Sequence, residues 1–311
     1  MLGCAVGDAL GAPFEGRSRD FMRQYDDLTA EYKKFPGYPT GQYTDDTQMT
    51  LKLAESIISS HGIIGADIAE SFSSLWRNNA IVGGGEACRE SMMSIIVHGA
   101  SWDESGVPEG RAGNGTAMRT SPIALFDCKN LTALRDDAIT QSIITHKDAR
   151  ASAGAVAVTA ALYYCINNDD IDPTEFIDFL LEQIRDINDE FTTAVTDLKN
   201  IVTLDEEAAF SRIMPFCDLG DDYNHGVTGY VVPTVIAALY SFLRYVRDWR
   251  ACVTCALRFG GDTDTVTSIA GAISGAFNGR DAIPDNLIED LKETEYIQGI
   301  AMKLYEVVCA K

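Results

Sequence analysis

The chain has 311 residues, a formal net charge of −21 and a pI near 4.4. This acidity disfavours binding to bare nucleic acid or to an anionic membrane surface, because both would repel the protein. The 46% of hydrophobic residues suffices for a packed core. The N-terminus has no basic region typical of a secretory signal, and the most apolar windows are shorter than the ~17 residues of a membrane span. We therefore expect a cytoplasmic globular protein.

The apolar periodicity is helical along almost the whole chain. It predicts helices over residues 47–61, 66–79, 86–98, 147–168, 172–186, 189–201, 205–214, 228–247, 249–259, 265–278 and 285–308. The clearest start has Asp172 as N-cap and Pro173 at the first helical position. No alternating run is bounded by hairpin turns, and no linker or repeat interrupts the pattern. We predict one compact all-α domain over residues 1–311, with long loops over 11–46, 99–115 and 215–229.

The eight cysteines are scattered and form no disulfide framework. Cys252 and Cys255 make a C-x2-C pair, but no second Cys or His pair stands at zinc-finger spacing. Their neighbours, WRACVTCALRF, have the pattern of one helical face. We predict that both are small core residues in a protein of a reducing compartment.

Two acidic clusters each stand directly before an apolar helix, more than 200 residues apart. The first, YTDDTQMTL, contains Asp45 and Asp46, and the second, FGGDTDTVTS, contains Asp262 and Asp264. Carboxylates and threonine hydroxyls are the hard oxygen ligands that divalent cations prefer. Four converging carboxylates would repel one another unless cations neutralised them. The spacing leaves two interpretations open: a metal site, or independent capping of two helices.

Glu15 lies in a segment rich in glycine and proline, GDALGAPFEG, shortly before the first acidic cluster. Beside a metal centre, a carboxylate on such a loop could act as a general base or as a transient ligand. The alternative is a solvated loop glutamate.

The segment GRAGNGTAMRTSPIAL contains a Gly-Asn-Gly turn that precedes a predicted helix start. Backbone amides in such a turn, beside the positive end of a helix dipole, suit a phosphate or pyrophosphate. Arg119 follows within one turn. His146, at the start of another helix, is compatible with anion binding and also with capping or packing.

These segments, in this order, resemble the ADP-ribosylglycohydrolase family, which includes the dinitrogenase reductase activating glycohydrolases. The matching motifs are GxAxGDALGAPFE (Gly3 to Glu15), YTDDTQMTL (43–51), GNGTAMRTSPIAL (113–125), THKDARA (145–151) and FGGDTDTVTSIAGAISGA (259–276). Five collinear motifs spanning residues 3 to 276 are far more specific than any one of them.

The resemblance implies a compact all-α orthogonal bundle with two Mg²⁺ or Mn²⁺ ions in a cleft. It also implies hydrolysis of the bond between the C1″ carbon of ADP-ribose and an acceptor, commonly an arginine side chain. The implied metal ligands are Thr44, Asp45, Asp46, Asp262, Asp264 and Thr265. The implied catalytic residues are Glu15, Asp46 and Asp264. The implied contacts to ADP-ribose are Gly113, Asn114, Gly115, Thr116, Met118, Arg119 and His146.

Other functions stay open within this resemblance. A family member can be a non-catalytic ADP-ribose binder or a crystallin-like structural protein, although every acidic ligand position is filled here. The linkage could also be to serine, to nucleic acid or to a small molecule, because the pocket outside the ADP-ribose site sets that choice. A different metal-dependent phosphohydrolase is disfavoured, because the sequence lacks clusters of Arg and Lys for phosphates. We expect a monomer.

Overall fold

The computed structural model describes residues 1–217 and 226–310. Sixteen α-helices and isolated β-bridges, but no β-strands, occur in these residues. The helices are α1 (Leu2–Gly11), α2 (Arg19–Met22), α3 (Asp45–Ser60), α4 (Gly65–Arg77), α5 (Glu86–His98), α6 (Ser121–Phe126), α7 (Leu131–Ile143), α8 (Ala149–Asn167), α9 (Pro173–Ile184), α10 (Asp189–Ile201), α11 (Glu206–Ile213), α12 (Val231–Arg244), α13 (Trp249–Arg258), α14 (Thr263–Asn278), α15 (Asp285–Glu289) and α16 (Thr294–Cys309). The all-α prediction is confirmed.

Most predicted helices agree with the structure to within a few residues. Helices α5 and α10 begin and end where the periodicity places them, and α9 starts as its capping residues indicate. The side chain of Asp172 accepts hydrogen bonds from the backbone N–H groups of Thr174 and Glu175. A local sequence signal suffices at these positions because the capping residue and the apolar stripe point to the same boundary.

Several helices differ from the predictions, and one of them, α2, lies within the predicted loop 11–46. The segment 7–16 is not one loop, because α1 runs to Gly11 and a 3₁₀ turn follows over Ala12–Phe14. Helix α7 was not predicted, and of α6 only a start near the Gly-Asn-Gly turn was predicted, without bounds. The predicted helix over 285–308 is divided into α15 and α16, and Glu293 between them adopts a positive φ of 56°. Within the predicted loop 215–229, residues 218–225 lie outside the described part of the chain.

Helix α1 forms despite its glycines because it packs backbone to backbone against α14. A Cβ at Gly3 would lie 2.1 Å from the carbonyl oxygen of Gly271, and one at Gly7 would lie 2.3 Å from that of Thr267. Only glycine allows this approach, and the burial offsets its low helix propensity. Gly271 on α14 is equally required, because a Cβ there would lie 2.4 Å from the carbonyl oxygen of Gly3. The contact fixes the start of α14 relative to α1.

Two clusters of buried apolar side chains form the core, and α1 contributes to both. Helix α8 lies in the first cluster with most of its side chains buried, as is typical of a helix that is apolar on nearly all sides. It is the one described helix long and apolar enough to cross a membrane, but 72% of its apolar window is buried inside the protein. That burial is what a core helix requires. Cys252 and Cys255 are also buried, as predicted.

Candidate active site

The starts of α3, α5 and α14 open into one cavity of about 270 Å³. Eleven of the residues selected from the sequence line it: Glu15, Asp45, Asp46, Gly113, Asn114, Gly115, Met118, His146, Asp262, Asp264 and Thr265. Residues from the predicted acidic clusters, the glycine turn and the Glu15 segment therefore meet at one place in the fold.

Three of the selected residues lie outside the lining of this cavity. The hydroxyl of Thr44 donates to Asp8, and the hydroxyl of Thr116 donates to the carbonyl of Ala151. The guanidinium of Arg119 is fully buried behind the cavity wall. Arg119 is therefore not placed to touch a molecule bound in the cavity, in contrast to the contact expected from the sequence.

The two acidic clusters are in direct contact, although they lie 219 residues apart in sequence. The hydroxyl of Thr265 donates to Oδ2 of Asp46 at 3.3 Å, and the other oxygen of Asp46 is buried without a hydrogen-bond partner. A buried unpartnered carboxylate oxygen is unfavourable unless another group satisfies it. Independent capping of two helices leaves this arrangement unexplained, because a cap needs only one acceptor.

Asp8 of α1 holds the start of α3 in place. Its buried carboxylate accepts hydrogen bonds from the backbone N–H and the hydroxyl of Thr44 and from the same two groups of Thr47, at 2.6–3.1 Å. Burial raises the pKa of Asp8 to about 6, and the four donors act in the opposite direction. Asp8 thus performs the capping that Thr44 and Asp45 do not, which leaves Asp45 and Asp46 free to face the cavity.

Backbone hydrogen bonds to two other loops hold the second acidic cluster in place. Gly261 N–H donates to the carbonyl of Arg17 at 2.7 Å, and Asp262 N–H donates to that of Val227 at 2.7 Å. Gly260 and Gly261 have positive φ values of 66° and 74°, and a Cβ at Gly261 would lie 2.0 Å from the oxygen of Val227. The double glycine therefore allows a close backbone approach that a side chain would prevent.

Asn114 connects the glycine turn to the acidic cluster. Its side-chain amide donates to Oδ2 of Asp262 at 2.8 Å and to the hydroxyl of Thr234 at 3.0 Å. A carboxylate bonded in this way keeps one orientation. In this structure Asn114 therefore positions an acidic side chain, in addition to lining the cavity.

Negative charge accumulates in the cavity without compensation from the chain. Among the described lining residues, six carboxylates face the cavity and there is neither Lys nor Arg. Burial raises the pKa of Asp45, Asp46 and Asp264 well above the usual value, and neighbouring carboxylates add to the effect. The ionised forms of these three carboxyl groups are therefore disfavoured unless a positive charge binds beside them.

The donor set fits a hard divalent cation. Asp45, Asp46, Asp262, Asp264 and the hydroxyl of Thr265 offer only oxygen atoms, and one of these atoms is buried without a partner. Within the described residues, however, no three Asp, Glu, His or Cys side chains are grouped closely enough to hold a metal ion as they stand. Binding would require small shifts of these side chains.

Glu15 stands at the exposed mouth of the cavity, at the end of the 3₁₀ turn that follows α1. Partial burial raises its pKa, and the negative charges of Asp262 and Asp8 raise it further. A carboxyl group with a raised pKa at the edge of a polar cavity is suited to general acid or base catalysis.

The opposite side of the cavity is formed by Gly113–Gly115 and His146. A Cβ at Gly113 would lie 2.6 Å from Nε2 of His146, so the ring lies directly against the turn. The turn is a 3₁₀ helix over Asn114–Thr116, and the next α-helix begins only at Ser121. The predicted helix dipole at the turn is therefore absent. The N–H of Asn114 donates to the carbonyl of Gly229 at 3.0 Å, which leaves the N–H of Gly115 as the amide of the turn that can donate to an anion.

Sequence reasoning missed residues that support the site. Asp8, Gln141 and Thr145 were not selected, and neither were the lining residues Gly83, Gly85, Glu86 and Gly229. A usable signal existed for Asp8, because a lone charged residue within the apolar segment GCAVGDALG predicts a buried polar partner.

Comparisons with known proteins agree with this geometry. The model of the ADP-ribosylglycohydrolase family matches residues 1–311. The chain is 28% identical to the ADP-ribosyl-[dinitrogen reductase] glycohydrolase of Rhodospirillum rubrum over 94% of this chain and 88% of that protein. It is 27% identical to the ADP-ribosylarginine hydrolase Tri1 of Pseudomonas putida over 98% and 76%. A solved ADP-ribosylglycohydrolase-related protein complex superposes with a TM-score of 0.71 at 27% identity, over 99% of this chain and 95% of that one.

Proposed function

The chain belongs to the ADP-ribosylglycohydrolase family, and from that membership, which supports hydrolysis of ADP-ribose conjugates, we propose a more specific activity. The protein is a divalent-metal-dependent hydrolase that cleaves the bond between the C1″ carbon of ADP-ribose and an arginine side chain. The observation that carries this proposal is the contact between Thr265 and Asp46, which joins two acidic clusters beside an anion-binding turn.

The two sides of the cavity match the two parts of the substrate. The backbone amide of Gly115 and the ring of His146 suit the pyrophosphate, because hydrogen-bond donors stabilise anionic oxygens. The carboxylate side suits the distal ribose, because positive charge develops on the sugar as the C1″ bond breaks.

Two Mg²⁺ or Mn²⁺ ions would be held by Asp45, Asp46, Asp262, Asp264 and Thr265, whereas the hydroxyl of Thr44 is bonded to Asp8. When bound, such ions polarise hydroxyl groups and water as Lewis acids. The chain itself orients these ligands through Asp8 and Asn114.

Glu15 is the group placed to move a proton during hydrolysis. Water adds to C1″ as the C1″–N bond breaks, so water loses one proton and the leaving guanidine nitrogen gains one. A carboxyl group with a raised pKa at the cavity mouth can carry out either transfer.

Charge favours arginine as the acceptor. Glu15 and Glu86 contribute negative charge to the lining, and the whole chain carries −21. A guanidinium leaving group is attracted to such a surface, whereas a nucleic-acid acceptor is repelled. The relative from Pseudomonas putida, named as an ADP-ribosylarginine hydrolase, supports the same substrate class.

A non-catalytic ADP-ribose binder is the second candidate. It is favoured by one observation: no three metal-binding side chains are grouped tightly in the described residues. A binder would hold ADP-ribose at the glycine turn and would need no cation.

One experiment separates these functions. The protein is incubated with ADP-ribosyl-arginine, with ADP-ribosyl-serine or with an ADP-ribosylated oligonucleotide, each with Mg²⁺ or with a chelator, and free ADP-ribose is measured. We expect release from the arginine conjugate only when Mg²⁺ is present. Equal release in chelator would contradict the metal requirement, release from another conjugate would replace arginine as the substrate, and binding without release would identify a binder.

A further inference from the structure

Arg119 is a buried cation whose role the cavity alone does not explain. Its guanidinium lies 4.6 Å above the ring of Phe72 and forms no ion pair within the described residues. It donates instead to Oε1 of Gln141 at 2.6 Å, to the backbone carbonyl of Gln141 at 2.9 Å and to the hydroxyl of Thr145 at 2.8 Å. The amide of Gln141 in turn donates to the carbonyl of Thr116, which fixes its orientation.

The hydroxyl of Thr145 joins Arg119 to His146. It accepts from Nη2 of Arg119, and it lies 2.9 Å from Nδ1 of His146. Because a guanidinium can only donate, the hydroxyl proton is free to point toward another acceptor. The sulfur of Cys88 competes for that proton, but sulfur is a weak acceptor compared with an imidazole nitrogen. Nδ1 of His146 is therefore the acceptor.

This bond determines which ring nitrogen carries the proton. In a neutral imidazole one nitrogen accepts and the other donates. With Nδ1 accepting from Thr145, Nε2 carries the hydrogen, and Nε2 is the atom that lies against the turn, 2.6 Å from where a Cβ of Gly113 would be. The donor thus faces the cavity.

We propose that Arg119 and Thr145 form a relay that holds His146 in the neutral Nε2–H tautomer, so that the ring donates one hydrogen bond to a phosphoryl oxygen bound at the Gly113–Gly115 turn. Arg119 and Thr145 are positioning residues that act through His146. This assignment replaces the direct contact between Arg119 and the anion that the sequence predicts.

Electrostatics also keep the ring neutral. Burial lowers the pKa of His146 to about 3, and the charges of Arg119 and Arg111 lower it further, whereas Asp148 acts in the opposite direction. Burial lowers the pKa of Arg119 only to about 10, so its charge persists at neutral pH. A permanent cation therefore stands behind a neutral donor.

The tautomer is directly measurable. The chain has four histidines, so long-range ¹H–¹⁵N correlation spectra of ¹⁵N-labelled protein, assigned with His146→Asn, report both ring nitrogens. We expect a protonated Nε2 and an unprotonated Nδ1 near neutral pH in the wild type, a mixture in Thr145→Val and the wild-type pattern in Thr145→Ser. A wild-type ring protonated at Nδ1 would overturn the relay without any variant being needed. A pure Nε2–H tautomer in folded Thr145→Val would overturn it as well.

The identity of the anion rests on the proposed function, so binding is measured separately by calorimetry with ADP-ribose. We expect Thr145→Val to weaken binding about threefold to tenfold, the net worth of one hydrogen bond, and Thr145→Ser to restore it. Weaker binding by Thr145→Val with an unchanged tautomer would contradict the relay. Failure of the wild type to bind ADP-ribose would contradict the proposed function, whereas the tautomer would still test the relay.

Discussion

The two sides of the cavity differ in charge: one carries crowded carboxylates and the other carries neutral hydrogen-bond donors. On one side, called here the acidic side, Asp45, Asp46, Asp262 and Asp264 lie together, and the raised pKa values of Asp45, Asp46 and Asp264 and an unpartnered oxygen of Asp46 favour our proposal that a cation binds there. On the other side, a glycine turn and His146 present neutral donors, with the charge of Arg119 buried behind them. The acidic side would need a cation from outside the chain, whereas the donor side, formed by the glycine turn and His146, belongs to the folded chain itself.

Asp264→Asn tests this difference with the largest expected effect. We expect release of ADP-ribose to fall by on the order of 10²–10³-fold or more, because a charged group aligned with the reacting sugar is lost. In a chelator the melting temperature should rise, because one repelling carboxylate is removed. In the wild type Mg²⁺ should raise the melting temperature, and in the variant it should raise it much less. Activity and melting temperature are both measured with and without Mg²⁺.

The matched control is Asp248→Asn, a change at the N-cap of the neighbouring helix α13. It should alter neither activity nor the response to Mg²⁺. If Asp264→Asn lowered the melting temperature in chelator, the result would contradict the repulsion between carboxylates that we infer for the acidic side.

Asp8→Asn should lower the stability of the protein most, because Asp8 accepts the hydrogen bonds that hold the start of α3 on the acidic side. An amide has only one acceptor oxygen, so its NH₂ group would face donors from Thr44 and Thr47. We expect a loss of about 2–4 kcal/mol in the free energy of unfolding, from bonds to a buried charge and the donors left unpaired. Urea unfolding measures this free energy.

The control is Asp172→Asn, at the N-cap of α9, which should lower the free energy of unfolding by less than about 1 kcal/mol because Asn also caps helices well. Equal losses in both variants would remove the special role of Asp8.

Asn114→Ala tests whether the acidic side is pre-oriented by the donor side. Without its bond to Asp262 that carboxylate can rotate, and we expect apparent Mg²⁺ affinity to fall about 10–100-fold, the usual effect of losing a partner of a metal ligand. The dependence of melting temperature on Mg²⁺ concentration gives the affinity without an activity assay. Asn278→Ala is the control, because Asn278 makes comparable bonds to Val246 and Ser274 at the other end of α14. Unchanged affinity in Asn114→Ala would show that the bond has no orienting role.

How much the sequence predicts also differs between the two sides. The residues of the acidic side could be selected because the short side chains of Asp and Thr before an apolar helix stay near their backbone. Arg119 could not be placed, because a long side chain can point to either side of its turn and only the tertiary contacts with Gln141 and Thr145 decide. Helix α1 was not recognised because its stability comes from contact with α14, which overrides the low propensity of its glycines.

The smallest expected effect concerns pH and the donor side. His146 has a pKa of about 3 in the folded protein and about 6.5 when unfolded. Between these values the unfolded chain binds a proton that the folded chain does not, so the free energy of unfolding falls as the pH drops from about 6.5 to 3. His146→Gln retains a donor but cannot titrate, and it should flatten this dependence. Urea unfolding across that pH range measures it, with His98→Gln, at an exposed position on α5, as the matched control. Because the acidic side titrates in the same range, only the difference between the two variants reports on His146. An identical slope in both would mean that the ring takes up its proton in the folded state, and the donor side would then not be neutral.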